Sequence, residues 1–130
     1  MMKWNYFAGL LLLLTVSCST PREASNTSAS LVHDSIDSAA YDVIVTDPEF
    51  DQWFTVHYTE AKDRPDQFYR SRNIIAVSNW NYYFLNGRYS LVIDSYIDYR
   101  PEVDYGIGVN RKLYWYFTYV TTKYKVPVFR

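Results

Sequence analysis

The sequence predicts an α+β domain dominated by helices, about three of them, with a minimal two-stranded sheet. Three observations carry that expectation. Apolar and aromatic residues recur at helical period from Asp66 to Asn86 and again from Asn110 to Tyr124. Only two short stretches, Tyr41–Val45 and Val126–Phe129, are β-rich and bounded by turn formers in the manner of strands. Composition also changes abruptly: positions 41–130 hold 13 Tyr, 6 Phe and 3 Trp, so 22 of 90 residues are aromatic. So short a segment buries only somewhat more than roughly 60% of its unfolded surface. Large rings compensate, because each removes about 150–250 Å² from water. Not all thirteen tyrosines can be interior, so many must lie at the boundary with the ring inward and the hydroxyl wet.

Each element has a local reason. Tyr41-Asp-Val-Ile-Val45 is bounded by Thr46-Asp47-Pro48, which makes it a short buried strand. Asp47 then offers an N-cap and Pro48 a first helical position where a missing N–H costs nothing. The helix Pro48–His57 points Phe50, Trp53, Phe54 and His57 along one stripe. Lys62–Asp66, containing Arg64-Pro65, reads as a polar loop. In Asp66–Asn86 the side chains of Tyr69, Ala76, Val77, Trp80, Tyr83 and Phe84 share a face, and Asn86-Gly87 stops the helix. Arg88–Tyr99 reads as a strand or a short helix, the helix being the nearer fit. Arg100-Pro101 breaks it, and Asp104–Gly108 is a turn-rich loop. Asn110 is expected to cap a last helix carrying Leu113, Tyr116, Phe117, Val120 and Tyr124, with Lys123 and Lys125 opposing the negative end of its dipole. Val126–Phe129 is expected to return as an edge strand beside Tyr41–Val45, the position where Pro127 is tolerable.

The region before the domain carries an address. Lys3 and the amino terminus precede an apolar run, Phe7–Val16, that ends at Ser17-Cys18. About ten apolar residues are too few to span a bilayer and suit the core of a signal peptide. A small residue directly before the chain's one cysteine fits lipoprotein processing, so Thr15-Val16-Ser17-Cys18 reads as a lipobox. Residues 1–17 are then a signal peptide, and 18–40 a lipidated cysteine followed by a polar linker expected to stay flexible to about Ser38. Residues 41–130 form the single domain. Two or three acyl chains, palmitate among them, make a durable anchor where one chain binds only marginally. With one cysteine no internal disulfide can form. Without Lys3, 12 basic residues face 14 acidic ones, a balance that gives no electrostatic case for nucleic acid.

Candidate chemistry is sparse. Zinc requires three or four spaced ligands, whereas Cys18 is assigned to lipid, His33 falls in the linker and His57 stands alone in the domain. No serine or cysteine nucleophile motif accompanies His57. Asp94, Asp98, Glu102 and Asp104 form the densest acidic cluster, interleaved with Tyr96, Tyr99 and Tyr105. Calcium or a carboxylate pair for glycoside hydrolysis are the chemistries such a cluster suggests; turn-capping and pairing with Arg88, Arg100 and Arg111 is the plainer alternative. Trp53, Trp80 and Trp115 suit sugar stacking if exposed and core packing if not.

Four stretches carry a resemblance: Asp47–Phe54, Asn79-Trp80-Asn81, Tyr96–Gly106, and Lys112–Phe117 through Lys123-Tyr124. Together they resemble a family of short, aromatic-rich bacterial envelope lipoproteins with a domain of unknown function. Asn79 and Gly108 depart from the acidic residues that the pattern favours there. The resemblance implies a lipoprotein and a coherent fold over residues 41–130, and it brings no reaction, ligand or cofactor. The function expected is thus a non-enzymatic, lipid-anchored component of the cell envelope, held through Cys18 and facing the periplasm from the outer membrane. It is expected to bind an envelope protein, through a surface drawn from Trp53, Trp80, Tyr96, Asp98, Tyr99, Asp104, Tyr105 and Trp115. A glycan- or peptidoglycan-binding module is the alternative, and a carboxylate-dependent hydrolase a more remote one. Cofactors, metal and nucleic acid are not expected.

Overall fold

Two long helices with aromatic stripes must bury those stripes against each other, and the other described elements are arranged around that contact. The computed structural model describes residues 27–33 and 41–130; the stretch read as a signal peptide, Cys18 and the remainder of the expected linker lie outside them. In order, the elements are β1 (Ala29–His33), β2 (Tyr41–Val45), α1 (Phe50–His57), a single 3-10 turn at Glu60–Lys62, α2 (Asp66–Leu85) and α3 (Ile107–Tyr124). This is the helix-dominated α+β architecture with three helices and one two-stranded sheet.

The core forms where α2 meets α3. Trp80 is fully buried, with its ring centroid 5.8 Å from those of Tyr116 and Phe117. Its indole N–H donates to the Ser95 carbonyl at 2.8 Å, so the one polar atom of the ring is satisfied. Truncating a side chain so enclosed costs about 3–5 kcal/mol. The short helix α1 lies across α3 and inserts Phe50, which meets Tyr116 and Tyr119 edge-on at 5.7 and 5.6 Å.

The stop of α2 follows the expected chemistry. Gly87 takes a φ of +64°. Its N–H reaches the Phe84 carbonyl while that of Arg88 reaches Tyr83, the paired bonds of a Schellman motif. Other boundaries move. The first helix begins at Phe50 rather than Pro48. Asp47 instead closes a turn, its carboxylate accepting the Glu49 N–H at 3.0 Å and its carbonyl the Phe50 N–H at 3.2 Å. The last helix begins three residues earlier than Asn110, at Ile107, because Gly106 adopts φ +83° and turns the chain there. Asn110 is fully buried instead of capping.

Three expectations are corrected. The partner of Tyr41–Val45 is Ala29–His33, antiparallel with Ala29 opposite Val45 and His33 opposite Tyr41, and not Val126–Phe129. Part of the segment assigned to a linker is therefore folded. Its start is fastened by Thr27, which is fully buried, bridges Ile93 and shares a 3.1 Å hydrogen bond with the Tyr116 hydroxyl. Val126–Phe129 forms no strand. Val126 and Val128 are buried as apolar plugs, and the tail is held by α2: Asn79 Nδ2 donates to the main-chain oxygens of Val128 and Arg130, and the Tyr83 hydroxyl to that of Pro127. An acid at position 79 has no N–H to donate in this way. Arg88–Tyr99 is neither strand nor helix: turns run to Val92, with Tyr89 in a left-handed conformation at φ +53°, Ile93 bridges Thr27, and the backbone is irregular from there to Tyr99.

Candidate functional site

One flank of α1, beside the stripe that carries Phe50, leaves an open groove against the end of α3. Its volume is about 470 Å³, with Glu49, Gln52, Trp53, Val56 and His57 on one side and Tyr119, Thr122 and Lys123 on the other. Spacing explains the wall: Gln52, Val56 and Glu49 recur at three and four residues, as do Trp53 and His57. His57 stacks on Trp53 with centroids 4.1 Å apart and planes 14° from parallel. Its Nδ1 lies 2.7 Å from the Trp53 carbonyl, and since a carbonyl only accepts, Nδ1 is the donor of that bond.

Under the groove lies a buried carboxylate. Asp47 accepts the Tyr124 hydroxyl at 2.6 Å and the Tyr119 hydroxyl at 2.8 Å, and the Lys123 ammonium stands 3.9 Å away. Lys123 also donates to Tyr119 at 2.8 Å and pairs with Glu49 at the groove's rim. Burial pushes the Asp47 carboxyl up, yet the two tyrosine hydroxyls, the Glu49 amide and the Lys123 charge outweigh it and hold the group below its ordinary value. Tyr119 moves the other way: burial raises it, and Asp47 as acceptor of its proton adds to that. Burial alone lowers the Lys123 ammonium, but its bonds to Glu49, Tyr119 and Tyr124 reverse the effect and raise it well above the usual range. The ensemble is a buried carboxylate under two tyrosine hydroxyls, beside a firmly charged ammonium. It is built to hold a shape and to present one ion pair at a rim.

The residues named from sequence are scattered by the fold. Trp53 lines the groove. Trp80 is fully enclosed, and Tyr99, Tyr105 and Trp115 are each at least nine-tenths buried, so these four do not supply a binding surface. Tyr99 and Tyr105 stack at 4.9 Å, and their hydroxyls are engaged: Tyr99 donates to Asn110 Oδ1 at 3.0 Å and Tyr105 accepts the Arg100 N–H at 2.9 Å. Tyr96 is 54% exposed. Asp98 pairs with Arg100 at the surface at 3.2 Å, and Asp104 caps a turn by accepting the Gly106 N–H at 3.1 Å. Asp98 and Tyr105 also border a smaller cleft of about 260 Å³ beside His33, Tyr41 and Arg100. His33, expected in a linker, sits on β1 with its ring edge-on to Tyr41 at 4.9 Å. Among the described residues, no three His, Cys, Asp or Glu side chains converge as a metal site, and no helix is long and apolar enough to cross a membrane.

Sequence reasoning missed Asp47 as a hub, together with Tyr119 and Lys123. The available signal was Tyr119, Lys123 and Tyr124 on the last turns of a helix, three polar-tipped side chains at i, i+4 and i+5 that needed a common acceptor.

No curated protein and no solved structure matches the chain. Residues 6–129 match a family of unknown function, DUF6146, and the chain belongs to that family.

Proposed function

We propose that the chain is a lipid-anchored protein of the bacterial cell envelope that binds another envelope protein without catalysing a reaction, and that the groove between α1 and α3 receives part of that partner. The observation that carries this reading is the combination of an exposed Val56, 69% accessible, with neighbouring polar groups, Glu49, Tyr119 and Lys123, that are already bonded to one another. An apolar contact ringed by fixed donors and acceptors is the anatomy of a recognition site. Nothing there is poised as a nucleophile: Tyr119 holds its proton tightly, and His57 has one nitrogen engaged by its own helix. A carboxylate-dependent hydrolase finds little support, since Asp98 is neutralised by Arg100 and Asp104 is occupied by a turn. The lipid anchor rests on the sequence: the apolar run Phe7–Val16 ends at Ser17-Cys18.

A photo-crosslinking residue at position 56, introduced in cells, tests the binding reading. It is expected to trap a discrete envelope protein, and the adduct is expected to fade when Gln52→Arg crowds the groove. Absence of any adduct refutes the groove as a partner site. Cys18→Ala is expected to stop acyl labelling and leave the precursor uncut; labelling that persists removes the anchor. A glycan ligand is the second reading, favoured by Trp53 lying among Gln52, His57 and Thr122, whose polar atoms suit sugar hydroxyls. It predicts that cell-wall fragments change tryptophan fluorescence and that Trp53→Phe abolishes the change.

A further inference from the structure

The helix α2 is apolar on two sides. Its inner side builds the core through Tyr69, Ala76, Val77, Trp80 and Tyr83. Its outer side also carries large apolar groups: Ile74 and Ile75 are 42% and 41% exposed, Tyr82 56% and Leu85 72%. At 100° per residue these four, with Gln67, Ser71 and Ser78, fall within an arc of about 100°. No charge lies on that stripe over the 20 residues of the helix. The helix's two neighbouring arginines are drawn aside: Arg70 donates to the Pro101 carbonyl at 3.0 Å, and Arg72 lies over the Phe129 ring at 4.7 Å. Ser71 turns its hydroxyl back to the Gln67 carbonyl at 2.8 Å, so it presents a small, satisfied surface.

We infer that this stripe is the interface of a homodimer, in which α2 packs antiparallel on α2 of a second copy about a two-fold axis through Ser78. The stripe is complementary to itself under that operation. Ser78 meets Ser78, where small side chains allow the backbones to approach. Ile74 meets Tyr82, and Ser71 meets Leu85, a small residue opposite a large one. A two-fold interface sets each patch against its own image, so any charge on it would confront a like charge nearby. This helix face carries none.

Tyr96, 54% exposed, belongs to the segment held beside Asn81, at one edge of the stripe. Ile97 is fastened there by Asn81, which donates from Nδ2 to the Ile97 carbonyl at 2.8 Å and accepts its N–H at 2.9 Å. The four large side chains present on the order of 400 Å² of apolar surface, a patch of the size that marks an interaction site. Two copies with their polar rims would bury on the order of 1,000–1,200 Å², the lower bound for a specific interface. A weak dimer, dependent on local concentration, follows.

The test is thiol crosslinking of the full chain in its own cells with a short bismaleimide. Ser78→Cys is expected to give a covalent species of twice the chain's mass, while Thr55→Cys, exposed on α1, gives none. The unsubstituted chain reports any contribution from Cys18. In the Ser78→Cys background, Leu85→Glu is expected to lower the dimer yield at least tenfold. Ile75→Glu, on the other side of Ser78, is expected to do the same independently. A Ser78→Cys chain that stays monomeric, an adduct of a different mass, or a yield unchanged by both glutamates overturns the homodimer.

Discussion

Two aspartates fasten opposite ends of α3, and they do so differently. Asp63 meets Arg111 near the start of the helix in a two-pronged pair, Nε to Oδ1 at 2.9 Å and Nη2 to Oδ2 at 2.8 Å, and takes the Tyr69 hydroxyl at 2.6 Å. Asp47 sits near the far end, where neutral phenols are its nearest partners and Lys123 stands back at 3.9 Å. The first arrangement is a charge clasp between the loop before α2 and the first turns of α3. Planar guanidinium matches planar carboxylate, and little remains for a ligand to use. The second leaves its cation shared with Glu49 at the edge of the groove. A carboxylate held by neutral donors can lie deeper in the protein, and its lysine is left at a surface where it can be read by a partner. The contrast separates a part that only holds the fold from a part that also shapes a site.

That contrast can be broken by experiment. The largest effect is expected from Asp47→Ala, which strips a buried acceptor from two tyrosine hydroxyls and should cost about 3 kcal/mol in chemical denaturation. Asp47→Asn keeps one acceptor oxygen and should cost about 1 kcal/mol. Asp63→Ala should be destabilising by less than Asp47→Ala, because its site is partly open to water; the reverse order would show that the clasp, not the phenol hub, carries this helix.

Acid resolves the pair next. Hydrogen bonds from Arg111 and then Tyr69 bring the Asp63 carboxyl from 3.8 down to about 2. A carboxyl depressed on folding contributes stability that is complete above its unfolded value and disappears as pH falls through its folded one. The Asp63 contribution should therefore be intact above about pH 4 and vanish towards pH 2. Asp47 is also depressed and acts with the same sign. Thermal melts against pH should show a flatter acid limb in Asp63→Asn than in Asp47→Asn, and equal flattening would erase the distinction drawn here. The smallest effect is expected from Val56→Glu. A surface change of this kind should alter stability by no more than about 0.5 kcal/mol, while abolishing capture of a partner by a crosslinker at position 52. Loss of fold in that variant would mean that the groove wall is structural.

Periodicity made α2 and α3 readable because each buries one continuous face: Trp80, Tyr83, Phe117 and Val120 recur at turns of a helix whatever packs against them. The Gly87 stop was readable for a local reason, since φ +64° suits glycine. Strand pairing was not. Tyr41–Val45 has a clear β pattern, but a strand's partner is chosen by tertiary contact, and Thr27 reaching Tyr116 and Ile93 brought in a polar segment that composition assigned to a linker. The site was hidden for a related reason. Burial, which separates Trp53 from Trp80 and Tyr96 from Tyr99, depends on surroundings far away in sequence.

Local period, capping and the area each ring removes from water were enough to set the two long helices, the aromatic character of the core and the α+β class. Long-range packing alone settled which carboxylate became a hub, which tryptophan faces a groove, and that the second face of α2 stays exposed among the described residues. Those outcomes depend on where distant segments meet, and a hydrogen bond such as Asp47 to Tyr124, 77 residues apart, leaves no periodic mark in the chain.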